Sequence, residues 1–319
     1  MPTGPDEPRV VGASVDLGSN SVHLLVARVV GHDLEPLADE SAFLGLGSAV
    51  AQRGFLGAAA RAELVSTLAR FAAVARSFGA DTITLLGTEP IRRAADSAQV
   101  VAAAHEIDGA SLHVLSHEDE AFLTIIGVTE GMPVGRETLV VDVGGGSSEF
   151  CVVDPVHRPR AAGIQLGSAR LTDRFATGDP PTAADVAAMR AAAADAVAAA
   201  PESDPSEIIA VGGTASNLIK VLPDAIADRT LTRERIATIQ ALLASEPAAD
   251  ASARFLINPI RARILPAGAA IVDAILERYG ADGIRVSEAG LREGAILAAA
   301  HEGPHWRDRL ATLAHGWRT

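Results

Sequence analysis

The chain has 319 residues, 48% of them apolar and 21% charged, with a net charge of −13 at pH 7. That balance excludes a disordered tail, and at roughly 100–200 residues per domain it predicts about two domains, each with its own core. The single cysteine, Cys151, excludes an intrachain disulfide scaffold, and the acidic excess argues against coating nucleic acid or anionic lipid with the whole surface.

The start, Met1 to Arg9, is polar with three prolines and no apolar h-region, so no secretory signal is expected and residues 1–9 read as a polar N-terminal segment. The longest apolar candidate, Ile264 to Leu276, is short and contains Asp273, which argues against a membrane span. A reduced thiol and no export signal together predict a cytoplasmic protein with no nucleic-acid or membrane partner.

An apolar strand over Val10–Val15 runs into Asp16-Leu17-Gly18-Ser19-Asn20-Ser21. A second, Leu139–Val141, runs into Asp142-Val143-Gly144-Gly145-Gly146-Ser147-Ser148-Glu149. The two aspartates lie 126 residues apart, about one domain length, which predicts a duplicated unit. Each turn is followed at once by β-rich sequence, Val22–Val30 and Phe150–Val153, so it joins the strands of a hairpin. A P-loop or dinucleotide fingerprint would instead feed a helix.

Between the turns, periodicity predicts a helix over 57–78, a strand over 82–86, a helix over 90–105, a strand over 111–115 and a helix over about 118–129. These complete a first lobe, 10–131, with the loop 131–137 as the boundary. The second lobe, 132–305, is expected to hold helices at 182–200, after Thr214, and at 232–244, 266–279 and 291–301. Its further strands are 207–211 and 284–287, its loops 154–160 and 201–206, and a tail 306–319 follows. Strand-then-helix order in two copies is an α/β fold with a cleft between the lobes.

Two Asp-x-Gly turns offer backbone N–H groups and small hydroxyls, the equipment for holding phosphoryl oxygens. That makes Gly18, Ser19, Asn20 and Ser21 candidate phosphate ligands, with Gly144, Gly145, Gly146, Ser147 and Ser148 in the second turn. Asp16 and Asp142, at strand ends, carry oxygens suited to a divalent cation. A third turn, Gly212-Gly213-Thr214, follows a strand and opens a helix; it fits either a phosphate site or a plain helix start capped by Thr214. Ser116 and Asp119 form a capping pair, and Glu120 in the same first turn is, on position alone, a partner of the helix dipole. His301 and His305 are separated by Gly303 and Pro304, which break the helix that a zinc pair needs. His23 and Cys151 sit on strands, where a satisfied histidine and an inert core thiol are expected.

Taken together, these turns, Ser116-His117-Glu118-Asp119-Glu120-Ala121 and Gly290-Leu291-Arg292-Glu293-Gly294 resemble the exopolyphosphatase / guanosine pentaphosphate phosphohydrolase (Ppx/GppA) family, in its short two-domain form. The resemblance runs from about residue 10 to 300 in the family's order. It implies two actin-like, ribonuclease-H-like lobes of the ASKHA superfold and hydrolysis of terminal phosphoanhydrides. It also implies Glu120 as general base, Arg92 as an arginine reaching the terminal phosphate, and Mg²⁺ or another divalent cation held by Asp142 with Asp16 and Glu149. The implied substrate is inorganic polyphosphate, with guanosine pentaphosphate as the alternative, and the implied assembly is a homodimer. A nucleotide-binding actin-like module or a kinase is the reading from another class, since fold does not fix function. Two positions depart from the family pattern: Phe122 stands where an arginine is usual, and Arg263 where an aspartate is common.

Overall fold

The computed structural model describes residues 10–80, 82–107 and 110–317; the N-terminal segment 1–9 and the last two residues of the tail lie outside them. The chain forms two compact units, one of residues 1–133 and 289–319, the other of residues 134–288.

The first unit opens with β1 (Val10–Leu17), β2 (Ser21–Val30) and β3 (Asp33–Phe43). Then come α1 (Leu46–Arg53), α2 (Ala58–Ser77), β4 (Thr82–Gly87), α3 (Glu89–Arg93), α4 (Ser97–Ala104), β5 (Ala110–Val114) and α5 (His117–Thr129). Its sheet has the order β3-β2-β1-β4-β5, with β1–β2–β3 antiparallel and β4 and β5 parallel to β1. A parallel strand is covered on both faces, which is why Ile83, Leu85 and Leu86 of β4 are all buried. β3 is an edge strand that takes Pro36 at an irregularity in its pairing with β2, a place where a missing N–H costs little.

The second unit contains β6 (Thr138–Val143), β7 (Ser148–Val153), β8 (Arg160–Ile164), α6 (Ser168–Phe175), α7 (Ala183–Val197), β9 (Glu207–Val211) and α8 (Gly212–Leu218). It continues with α9 (Pro223–Asp228), β10 (Thr230–Thr232), α10 (Arg233–Leu243), α11 (Ala248–Phe255), α12 (Pro259–Arg278) and β11 (Gly283–Val286). The sheet order is β8-β7-β6-β9-β11-β10, which repeats the first sheet strand for strand and adds β10 at the edge. The chain therefore has the duplicated α/β, actin-like fold that the resemblance implied. Among the described residues no single helix is long and apolar enough to cross a membrane.

Three sequence expectations are corrected. The helix expected over 90–105 is two helices, α3 and α4, because Ala94 turns extended and brings Asp96 to accept the N–H groups of Leu56 and Gly57, each at 2.9 Å. The helix expected from Pro266 starts at Pro259, where the Asn258 side chain accepts from the Ile260 N–H, and Pro266 lies inside it. The segment 289–305 belongs to the first unit, not the second. There α13 (Leu291–Glu302) packs directly on α5: a Cβ at Gly127 would collide with the Gly290 carbonyl, and one at Gly294 with that of Leu123. The Gly-Leu-Arg-Glu-Gly signature is thus a helix-packing device. A 3₁₀ stretch, Gly303–Arg309, and α14 (Leu310–Leu313) complete the unit.

Candidate active site

In the first unit, the turn between β1 and β2 is closed by the Gly18 N–H donating to the Ser21 carbonyl at 3.2 Å. Its outer carbonyls are taken from behind: Gly47 N–H donates to Ser19 O at 2.8 Å, and Leu44 and Gly45 N–H donate to Asn20 O. In a planar trans peptide the C=O and the following N–H point opposite ways, so the Asn20 and Ser21 N–H groups face away from that support. Asp16, the last-but-one residue of β1, pairs across the ladder with His23, whose Nε2 lies 2.6 Å from the Ser21 hydroxyl. The Ser19 hydroxyl donates to the buried carboxylate of Glu89, which also pairs with Arg93. Arg93 is thus tied back to its own helix by this i,i+4 pair.

The capping pair at the start of α5 forms as the sequence predicts: Asp119 N–H donates to Ser116 Oγ, and Ser116 N–H to Asp119 Oδ2, both at 3.0 Å. This fixes the first turn, where Glu120 is buried at 6% exposure. Arg92 of α3 donates through Nη1 to the Glu120 carboxylate and to the Leu115 carbonyl at 2.6 Å. Its Nη2 lies 3.1 and 3.3 Å from the ring nitrogens of His117. Burial, and then the Arg92 charge, lower the His117 pKa, so the imidazole is neutral near pH 7. His117 escaped the sequence reading, although its position three residues before Glu120 puts both on one helix face.

In the second unit the turn between β6 and β7 has the same frame, with the Gly144 N–H donating to Ser147 O at 3.0 Å. Ser168 and Arg170 N–H donate to the Gly144 and Gly145 carbonyls, each at 3.0 Å, and Arg170 Nε donates to Gly146 O at 2.8 Å. Three consecutive carbonyls point at α6, so the N–H groups of Gly145, Gly146 and Ser147 point the other way, an arrangement that suits an anion. Ser148 serves the scaffold instead, being fully buried with its hydroxyl donating to Leu166 O at 2.7 Å. The Thr214 hydroxyl is likewise buried, 3.2 Å from that of Ser168.

Asp142 and Glu149 are directly opposed in the antiparallel ladder, so their side chains leave the same face of the sheet. Burial pushes the Asp142 carboxyl up to about 6. Gly212, with φ +86°, lies so close to it that a Cβ would meet Asp142 Oδ1; only glycine satisfies both conditions. The guanidinium of Arg261 lies across Gly213 in the same way. Arg170 carries no local signal in the sequence, since it acts on a turn 24 residues earlier, whereas Arg261, with Arg263, reads in the sequence as a cation that could line a polyphosphate groove. Arg263 is exposed and Phe122 is buried in the first unit's helix layer.

Two oxygen-rich carboxylates side by side, one of them buried, form a donor set that suits a hard divalent cation, and N–H nests suit phosphoryl oxygens. Residues 25–302 match the Ppx/GppA phosphatase family. Exopolyphosphatase 1 of Mycobacterium bovis is 30% identical over 298 residues, covering 89% of this chain and 86% of that protein. A guanosine-5'-triphosphate,3'-diphosphate pyrophosphatase of Vibrio cholerae is 25% identical over 293 residues, and the matched region spans only 58% of that protein. The crystal structure of the Aquifex aeolicus member of the Ppx/GppA family superposes with a TM-score of 0.80 at 25% identity, covering 93% of this chain and 100% of that one. Fold, turn geometry and similarity over most of the chain agree: this chain belongs to the Ppx/GppA phosphatase family, whose members are phosphoanhydride hydrolases.

Proposed function

We propose that this chain is an exopolyphosphatase that releases terminal orthophosphate from inorganic polyphosphate. The observation that carries the reading is the Arg92–Glu120 pair: a buried carboxylate suited to general-base work, held by an arginine suited to a terminal phosphate. In the proposed reaction the N–H groups of the Gly18–Ser21 turn hold phosphoryl oxygens, and those of the second unit's turn, with Gly212 and Gly213, are equipped for the same task. The anionic terminal phosphate competes with Glu120 for Arg92. Glu120, so released, takes a proton from water as its oxygen bonds to phosphorus. The bridging P–O bond breaks, and orthophosphate and a chain one phosphate shorter leave. His117 holds the far side of the Arg92 guanidinium.

Asp142 and Glu149 would hold Mg²⁺, which when bound neutralises phosphoryl charge as the anhydride breaks; Asp16, at the matching strand end of the first unit, offers an oxygen of the same kind. A single cysteine, Cys151, buried in β7, fits a reducing cytoplasm. The similarity to the Vibrio cholerae protein supports guanosine pentaphosphate hydrolysis as the second reading. Aromatic residues make up only 3% of the chain, however: Trp306, Phe71, Phe122 and Phe150 are buried in the cores, and among the described residues Phe43, Phe55 and Phe78 are the exposed phenylalanines that could stack on a guanine. Phosphate release from polyphosphate, guanosine pentaphosphate and ATP, measured in parallel with Mg²⁺ and with excess chelator, tests the assignment. Polyphosphate should be hydrolysed and chelation should stop it. Turnover of guanosine pentaphosphate with none of any polyphosphate length would reverse the two substrates.

A further inference from the structure

The C-terminal segment grips α5 at both ends. Before the helix, Trp306 is buried edge-on against His113 of β5, with ring centroids 5.0 Å apart. The next residue, Arg307, uses one nitrogen twice: Nη2 donates to Val114 O at 2.8 Å and to Asp119 Oδ2 at 2.7 Å. The same Asp119 oxygen accepts the Ser116 N–H, so Arg307 ties the end of β5 to the cap of α5. Leu310 and Leu313 are buried. Beyond the helix, Trp317 N–H donates to Gly131 O at 2.9 Å, and the indole stacks between His32 and His301, with centroids at 5.5 and 4.6 Å. Its ring occupies the place where a Cβ at Gly131 would lie.

Everything held in this way lies along one helix, and the residue after Asp119 is Glu120. We propose that the segment Gly303–Trp317 is a strap that sets the placement of α5, and that Arg307 is a positioning residue for the general base; this rests on the exopolyphosphatase reading above. The capping bonds between Ser116 and Asp119 do not depend on Arg307, so the helix survives its loss. What Arg307 adds is the tie to β5, hence the position of the Glu120 carboxylate relative to Arg92 and the phosphate-binding turn of its own unit. Binding of phosphate by backbone N–H groups does not pass through Arg307, whereas aiming a water does. A misplacement of about 1 Å at such a carboxylate is enough to cost up to about 100-fold in rate.

The experiment compares full-length wild type, Arg307→Ala, Arg307→Lys and Arg309→Ala, the last being exposed in the same stretch. Arg307→Ala should lower kcat on polyphosphate by about tenfold with KM changed less than about twofold, and Arg307→Lys should restore most of it. Arg309→Ala should match wild type. Amide hydrogen exchange over residues 113–124 should speed up in Arg307→Ala and recover in Arg307→Lys. An inactive wild type refutes the exopolyphosphatase reading itself. An active wild type with an equally active Arg307→Ala overturns the strap. So does a variant in which kcat and KM worsen together, the melting temperature falls and lysine gives no rescue, because that pattern marks a merely structural residue.

Discussion

The turns Gly18–Ser21 and Gly144–Ser147 share a closing hydrogen bond and a strategy of turning carbonyls backward so that N–H groups face forward, yet they are supported differently. The first leans on a loop and α1, through the N–H groups of Leu44, Gly45 and Gly47. The second leans on α6, with an arginine side chain locking one carbonyl more. The neighbouring chemistry differs as well. Asp16 faces a histidine across its ladder, while Asp142 faces a glutamate. Among the described residues, the first unit alone sets a buried acid in the first turn of a helix and pairs it with an arginine; the second unit's buried Asp185 is bonded by Thr177 and Thr182 instead. The two copies thus share a turn whose N–H groups face forward and differ in what stands beside it: a buried acid paired with an arginine in one, two directly opposed carboxylates in the other.

The sharpest way to break that division is Glu120→Gln, which keeps shape and loses basicity. It should lower kcat by about 10²–10⁴ with little change in KM, read by steady-state phosphate release. Next comes Asp142→Asn in the other copy. It should keep much of kcat at saturation but raise the Mg²⁺ needed for half-maximal rate by about tenfold or more, read by metal titration.

The same aspartate carries a stability signature. Its folded pKa of about 6 lies above the 3.8 of an unperturbed carboxyl, so between those values the folded state binds more protons than the unfolded one. Its contribution is fully present below about pH 4 and is lost as pH rises through about 6, by up to about 3 kcal/mol. Urea melts of metal-free protein from pH 4 to 7 should therefore show wild type losing stability relative to Asp142→Asn across that window. A constant difference would remove the buried carboxyl from the account.

The smallest effect compares the supports. Gly167→Ala would drive a methyl into the backbone of Gly145 and Gly146, overlapping three of its atoms, whereas in Gly47→Ala the new Cβ would sit 2.7 Å from the Ser19 Cβ, a lesser overlap. Overpacking of this kind costs about 1–3 kcal/mol, so Gly167→Ala should be the more destabilised by calorimetry and show the larger rise in KM.

Much of this division is legible in the sequence, for identifiable reasons. Asp-x-Gly turns announce themselves because few residue types tolerate such a frame, and Ser116 with Asp119 marks a helix start through a local bond. β3 went unread because its residues alternate between partly buried and exposed and include Pro36, so no strong apolar pattern marks it. Pro266 looked like a helix start because proline usually is one, but here twenty residues of mostly buried helix absorb it. The pairing of Arg92 with Glu120 has no local signal at all, since it is made by two helices meeting at the ends of neighbouring strands. The return of the chain to the first unit was hidden for the same reason: the glycines of α13 mean close packing only once the partner helix is known.

That return has a consequence for how the protein is made. The second unit is continuous, residues 134–288, whereas the first is split around it. During synthesis the second unit has its whole sequence available before the first one does. The helix bearing Glu120 must wait for Gly290 and Gly294, made more than 160 residues later, to complete its packing. Such long-range closure raises contact order and slows the final step. A chain truncated after Glu288 and freed from the ribosome should therefore hold a protease-resistant second unit and a first unit that is still open to cleavage around α5.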